Sequence, residues 1–198
     1  MSYYERNLPH WQPEGAALFL TWRLHGSLPR AVEILEHSSP GKVFVAMDRR
    51  LDGAATGPRW LHFELMDERV AQVVADALGF GERRLGLYKL RAWVLMVNHV
   101  HILIYPRPAR RGSPKPSRII RHARPMPSLR IIGRTGLPFW QDESYDHWVR
   151  GPEELAKIVR YIEKNPVVAG LVSRGEDWRW SSTFGMAQGQ ARRPVPPK

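Results

Sequence analysis

The chain of 198 residues contains no cysteine. That excludes a disulfide framework and a thiolate zinc site, and it fits a reducing cytoplasm. No apolar run approaches the roughly 20 residues needed to span a bilayer, so no membrane partner is expected. The opening, MSYYERNLPHWQPEGA, lacks the charged-then-apolar form of a signal peptide. No internal repeat is present. Acidic residues are scarce: 19 Asp and Glu stand against 30 Lys and Arg, for a net charge of +11. So basic a chain points to a polyanionic partner, nucleic acid before acidic membrane surface. Hydrophobic residues make up 43% and aromatics 10%, a globular rather than a disordered profile. The length fits one domain over 1–187, followed by a disordered basic tail at 188–198.

The shortage of acid is sharpest between Pro106 and Trp140. That stretch has nine Arg or Lys and no Asp or Glu: Arg107, Arg110, Arg111, Lys115, Arg118, Arg121, Arg124, Arg130 and Arg134. A solvated face normally mixes signs, so an unbroken cationic run of this length points to phosphate. Pro106, Pro108, Pro114 and Pro116 make its first third stiff and extended. Short helices are expected at Arg118–Arg124 and Ser128–Ile132. The whole basic, Pro-rich segment, 106–138, lies within the single domain.

The stretch RAWVLMVNHVHILIY, Arg91 to Tyr105, organises the rest. It predicts two apolar strands, Tyr88–Met96 and His99–Tyr105, with a break near Val97-Asn98. Side chains alternate along a strand, so His99 and His101 share one face while Val100, Ile102 and Ile104 take the other. Two imidazoles on a rigid strand can hold one metal ion, with coordination left for a third ligand, water and substrate oxygens. A structural pair satisfied by hydrogen bonds is the plainer alternative for HxH alone.

Around this pair, ALFLTWRL (Ala17–Leu24) predicts a strand with Phe19, Thr21 and Arg23 on one face. The lead-in, 1–16, reads as irregular. Pro29 can open a helix through His37. Residues 38–59 read as a connector with a short segment at Val43–Met47, and no role attaches to residues 40–59. Met66–Leu78 has helical spacing, with Asp67 as N-cap and an end near Gly79. The clearest helix opens at Pro152 with Glu153 and Glu154 in its first turn. Leu155, Ile158, Val159 and Ile162 form its buried stripe, and Asn165-Pro166 marks its end. A further turn is allowed at Val167–Val172.

On that helix Tyr161 and Asn165 are four apart and share a side with Glu154 and Lys157. A tyrosine bordering an apolar stripe is ordinarily a half-buried core residue. Its company changes the weighing: two imidazoles, a Tyr/Asn pair and a cationic segment together suit a metal-assisted phosphodiester site. A free phenol has a pKa near 10, so the nucleophile needs help from a divalent metal and from Lys157.

VLMVNHVHILI, FWQDESYDHWVR, YIEKNPVVAGLV and DWRWSS, in that order, resemble the motifs of the REP-associated tyrosine transposases, single-tyrosine relatives of the HUH transposases. ALFLTWRLHGSLP is similar to their opening, and the likeness runs from about residue 15 to 183. The family usually has Pro where Val97 stands. The resemblance implies a ferredoxin-like, RRM-like α/β fold, with a mainly antiparallel sheet, helices packed on it and the His pair on a central strand. It implies an enzyme that nicks and joins single-stranded DNA at REP-type palindromic hairpins through a covalent 5′-phosphotyrosine. Tyr161, His99 and His101 would be catalytic. Mg²⁺ or Mn²⁺ would be held by His99, His101 and Asn165. The nine cations of 107–134 and Lys157 would contact DNA. A bacterial, nucleoid-associated location and a monomeric or homodimeric state go with it. The alternative is a non-catalytic binder of hairpin DNA or RNA on the same fold. A hydrolase using water is a third reading, one that would not need Tyr161.

Overall fold

The computed structural model of the chain describes residues 2–5, 9–12, 16–27, 46, 48–51, 68–107, 139–141 and 144–186. The helices expected at Pro29–His37, Arg118–Arg124 and Ser128–Ile132, the N-cap at Asp67 and the tail at 188–198 lie outside these residues.

Two strands near the N-terminus, β1 (Ser2–Glu5) and β2 (Pro9–Gln12), pair antiparallel as a separate ribbon. This corrects the reading of 1–16 as irregular throughout. The main sheet is built from β3 (Leu18–Arg23), β4 (Tyr88–Leu95), β5 (His99–Pro106) and β6 (Tyr145–Trp148). Its order is β4-β5-β3-β6, and every neighbouring pair is antiparallel. Helix α1 (Glu68–Arg83) connects β3 to β4 in sequence, and helix α2 (Pro152–Val168) follows β6. This is the expected ferredoxin-like arrangement, with the His-bearing strand β5 internal to the sheet.

Both faces of the sheet are covered, so the strands read as nearly continuous apolar runs. Leu18, Leu20 and Trp22 share one face with Ile104, Ile102 and Val100, their register partners. All six are buried. Tyr88 on β4 ties this layer to α1, its hydroxyl donating to the Leu78 carbonyl at 2.9 Å. Phe19, Thr21 and Arg23 take the other face with Leu103, His101 and His99, where α2 packs through Tyr161 against Phe19. The free edge of β4 is covered by the DWRWSS segment. There the Leu95 N–H donates to the Trp180 carbonyl at 2.8 Å, and the Trp178 indole donates to the Leu95 carbonyl at 2.9 Å. A paired edge is not a template for aggregation.

Three boundaries differ from expectation. Helix α1 does not stop near Gly79 but runs to Arg83. Gly79 and Gly81 are both buried, and a Cβ on Gly81 would run into the Tyr88 ring. Close packing thus outweighs the weak helix propensity of glycine here. Helix α2 passes through Pro166 to Val168. A proline one turn from the end loses a single ladder bond, and the Ala169 N–H still donates to the Asn165 carbonyl at 2.9 Å. Gly170, at φ +71, then closes the helix in the left-handed conformation that glycine adopts freely. Finally, Tyr145–Trp148 forms a strand where the sequence marks only an approach to α2. Its His147 pins the helix start: Glu154 accepts from His147 Nε2 at 2.9 Å and from the Arg150 N–H.

Candidate active site

The tight Met96–His99 turn, closed by the Met96 N–H donating to the His99 carbonyl at 2.9 Å, delivers β5 to the sheet with His99 and His101 on one face. Both imidazoles are fully buried, with ring centroids 4.6 Å apart.

Each ring is oriented by a partner at Nδ1. Asn98 donates its amide N–H to the Leu51 carbonyl at 2.9 Å, so its Oδ1 is the atom facing His99 Nδ1 at 2.7 Å. An oxygen there requires the hydrogen on Nδ1, which leaves the Nε2 lone pair of a neutral His99 aimed into the site. Burial, and next the charge of His101, push the His99 pKa down to about 3, against the pull of Asp48, so the ring is neutral near pH 7. His101 Nδ1 lies 2.7 Å from Thr21 Oγ1, its neighbour across β3. Outer partners of this type fix ring orientation at metal sites.

The third member of the cluster is Asp48, a buried carboxylate in the helical stretch 48–51. Its Oδ1 lies 3.2 Å from His101 Nε2 and 3.7 Å from His99 Nε2. Burial alone would raise its pKa. The hydrogen bond and charge of His101, the charge of His99 and a hydrogen bond from Asn165 outweigh that and hold the carboxyl below the usual range. Sequence reasoning missed Asp48, because it assigned no role to residues 40–59. The one local signal is an acid standing just ahead of Arg49 and Arg50 in a basic chain.

Helix α2 supplies the rest. The Tyr161 hydroxyl donates to Asp48 Oδ2, and its ring meets His101 edge-on at 5.4 Å between centroids. One turn on, Asn165 is buried with Nδ2 3.3 Å from His101 Nε2. Its Oδ1 is buried with no hydrogen-bond partner among the described residues. Lys157 sits one turn before Tyr161, exposed. Thus four of the expected residues, His99, His101, Tyr161 and Asn165, meet in one place. Arg107 does not join them. It follows Pro106 at the far end of β5, roughly 20 Å from His101 at strand rise. Arg110, Arg111, Lys115, Arg118, Arg121, Arg124, Arg130 and Arg134 lie outside the described residues.

Chemically, Asp48, His99 and His101 offer two imidazole nitrogens and a carboxylate oxygen within 4.8 Å of one another. The lone pair of His99 Nε2, the Asp48 carboxylate and the Asn165 amide oxygen, with His101 beside them, are acceptors that a divalent cation would satisfy. The donor set fits a metal ion.

The chain was compared with known proteins. Among solved structures it matches the structure of the REP associates tyrosine transposase bound to a REP hairpin, with a TM-score of 0.54. The match covers 98% of this chain and 90% of that one. The chain shares this transposase's fold. Sequence identity is 20%, so what is shared is the architecture that carries the histidine strand. No protein-family model and no curated protein matches the chain. The resemblance to REP-associated tyrosine transposases drawn from the four sequence motifs therefore has a structural counterpart. Among the described residues, no helix is long and apolar enough to cross a membrane.

Proposed function

We propose that the protein is a metal-dependent single-stranded DNA endonuclease and strand transferase, acting on REP-type palindromic hairpins through a covalent 5′-phosphotyrosine. The observation that carries this reading is the hydrogen bond from the Tyr161 hydroxyl to Asp48, a carboxylate that also faces both strand histidines. A hydroxyl nucleophile, an adjacent ionised carboxylate and a metal-ligand set are the parts that covalent phosphoryl transfer needs. The transposase of similar fold was solved with a REP hairpin, which supports hairpin DNA as the partner.

His99, His101 and Asp48 would hold Mg²⁺ or Mn²⁺, with Asn165 beside them. When bound, the ion would polarise the scissile phosphate and stabilise its developing charge. Asp48 Oδ2 orients the phenol and takes its proton as the Tyr161 oxygen attacks phosphorus. The bond from phosphorus to the 3′ oxygen breaks, that oxygen takes a proton from solvent and leaves as a free 3′-OH, and the 5′ phosphate stays on Tyr161. Joining is the reverse, with a second 3′-OH attacking the phosphotyrosine. Lys157, on the same side of α2 one turn away, supplies positive charge to the strand.

The test is to incubate the protein and Mn²⁺ with a labelled single-stranded hairpin and resolve the products on a denaturing gel. A protein–DNA adduct is expected, absent in Tyr161→Phe. Cleavage by Tyr161→Phe at the wild-type rate would point to water as the nucleophile and overturn the reading. Hairpin binding without any cleavage would leave the non-catalytic alternative.

A further inference from the structure

Arg23 is a cation whose position the cluster above does not explain. It closes β3 and is the register partner of His99. Paired residues on neighbouring antiparallel strands put their side chains on the same face, roughly 5 Å apart at Cβ. The Arg23 stem therefore rises beside His99. Its guanidinium is half-buried, yet no carboxylate pairs with it among the described residues. Its side-chain hydrogen bond is a long one, 3.4 Å from Nη1 to Ser27 Oγ. A partly desolvated guanidinium normally has a carboxylate or phosphate on its donor fork. Burial lowers its pKa from the ordinary arginine value.

Its surroundings point to a strand of nucleic acid. The next row of the same face holds Thr21 and His101, about 6.8 Å along at two residues of strand rise. Tyr161 stands over that row, at 5.4 Å from His101. Arg23 is thus beside the point of attack rather than on it. Its backbone carbonyl accepts the Gln141 N–H at 2.9 Å, so the chain that leaves the acid-free cationic run is bonded to Arg23 itself.

We propose that Arg23 grips the DNA phosphate next to the scissile one and so holds the strand across the Asp48, His99 and His101 cluster. The proposal rests on the nicking-and-joining reading, and it makes Arg23 a positioning residue.

The test is equilibrium binding of a labelled single-stranded hairpin in EDTA, by fluorescence anisotropy, in a Tyr161→Phe background where no covalent turnover occurs. Arg23→Gln should bind about tenfold more weakly. Its log–log salt slope should be shallower by about 0.7, one single-strand phosphate contact. A scan of neutral methylphosphonate linkages should find one position, beside the scissile linkage, that weakens the Arg23 protein and leaves Arg23→Gln unaffected. Equal affinity and slope in a cooperatively melting Arg23→Gln overturns the proposal and leaves the nuclease reading intact. A parent protein that binds no hairpin overturns both. Hairpin binding by the wild-type protein that gives no tyrosine adduct with Mn²⁺ overturns only the nuclease chemistry. Should Arg23→Gln fail to fold, Arg23→Lys takes its place: the charge and slope stay, the two-pronged grip goes, and affinity falls. Affinity equal to the parent overturns the proposal there as well.

Discussion

Tyr161, Asp48, His99 and Asn165 meet within one cluster, yet their substitutions should separate. Tyr161→Phe keeps the ring against Phe19 and His101 and removes the oxygen proposed to attack phosphorus. Cleavage and adduct should vanish together, while stability changes by at most about 1 kcal/mol in a urea melt. Asp48→Asn preserves shape and removes charge. It should weaken Mn²⁺ binding at least tenfold, read as free Mn²⁺ by electron paramagnetic resonance, because a carboxylate is the one anionic donor of the set. Asn165→Ala should be milder, since water can replace an amide oxygen; equal losses for Asp48→Asn and Asn165→Ala would contradict this ranking. The two histidines were legible from sequence because strand alternation is a local rule, and Tyr161 with Asn165 because helix periodicity is one. Asp48 was not. It reaches the site through a tertiary contact, the Leu51 carbonyl accepting from Asn98, and no spacing along the chain encodes that contact.

Among the elements, β3, β4, β5, α1 and α2 followed from their patterns, whereas their ends followed from packing. Gly79 reads as a stop in sequence. In the fold, α1 continues because Gly81 lets it lie against Tyr88, whose hydroxyl bonds the helix at Leu78. Strand β6 escaped notice for the opposite reason: four residues, half-buried and mixed in polarity, carry no periodic signal. It exists because β3 offers it an edge. Gly81→Ala tests the packing argument. Alanine favours the helix by about 1 kcal/mol, while overpacking costs about 1–3 kcal/mol. A net destabilisation of about 1 kcal/mol is expected in urea. The atom nearest the new methyl would be the Tyr88 hydroxyl oxygen. Adding Tyr88→Phe should therefore cost less in the Gly81→Ala background than in the parent. Strict additivity would mean that the clash is relieved elsewhere.

At the scale of the whole molecule, charge and the buried cluster pull on different observables. The net charge of +11 predicts DNA binding that weakens steeply with salt. Replacing Arg118, Arg121 and Arg124 by Ala should flatten the log–log slope by roughly 0.7 per lost phosphate contact; an unchanged slope would make this run a solvated face only. The cluster instead governs stability, since it joins β5, the 48–51 stretch and α2 in one buried place. Burial holds His99 down to about 3 in the folded chain, against about 6.5 unfolded. Between those values the unfolded chain binds more protons, so stability rises with pH there. Asp48, with its folded pKa below the ordinary value, adds stability that is present above its unfolded pKa and lost as pH falls below it. The urea midpoint should thus be flat above about pH 7 as far as these two groups go, and fall steadily toward pH 3. Mn²⁺ would bind the same lone pairs that protons take, so it should raise the midpoint most at neutral pH, where a hundredfold excess over its Kd stabilises the fold by about 2.7 kcal/mol. The metal effect should shrink on acidification. His99→Gln should lose most of the metal effect and part of the acid sensitivity together. A variant that kept the full Mn²⁺ stabilisation would place the ion away from His99.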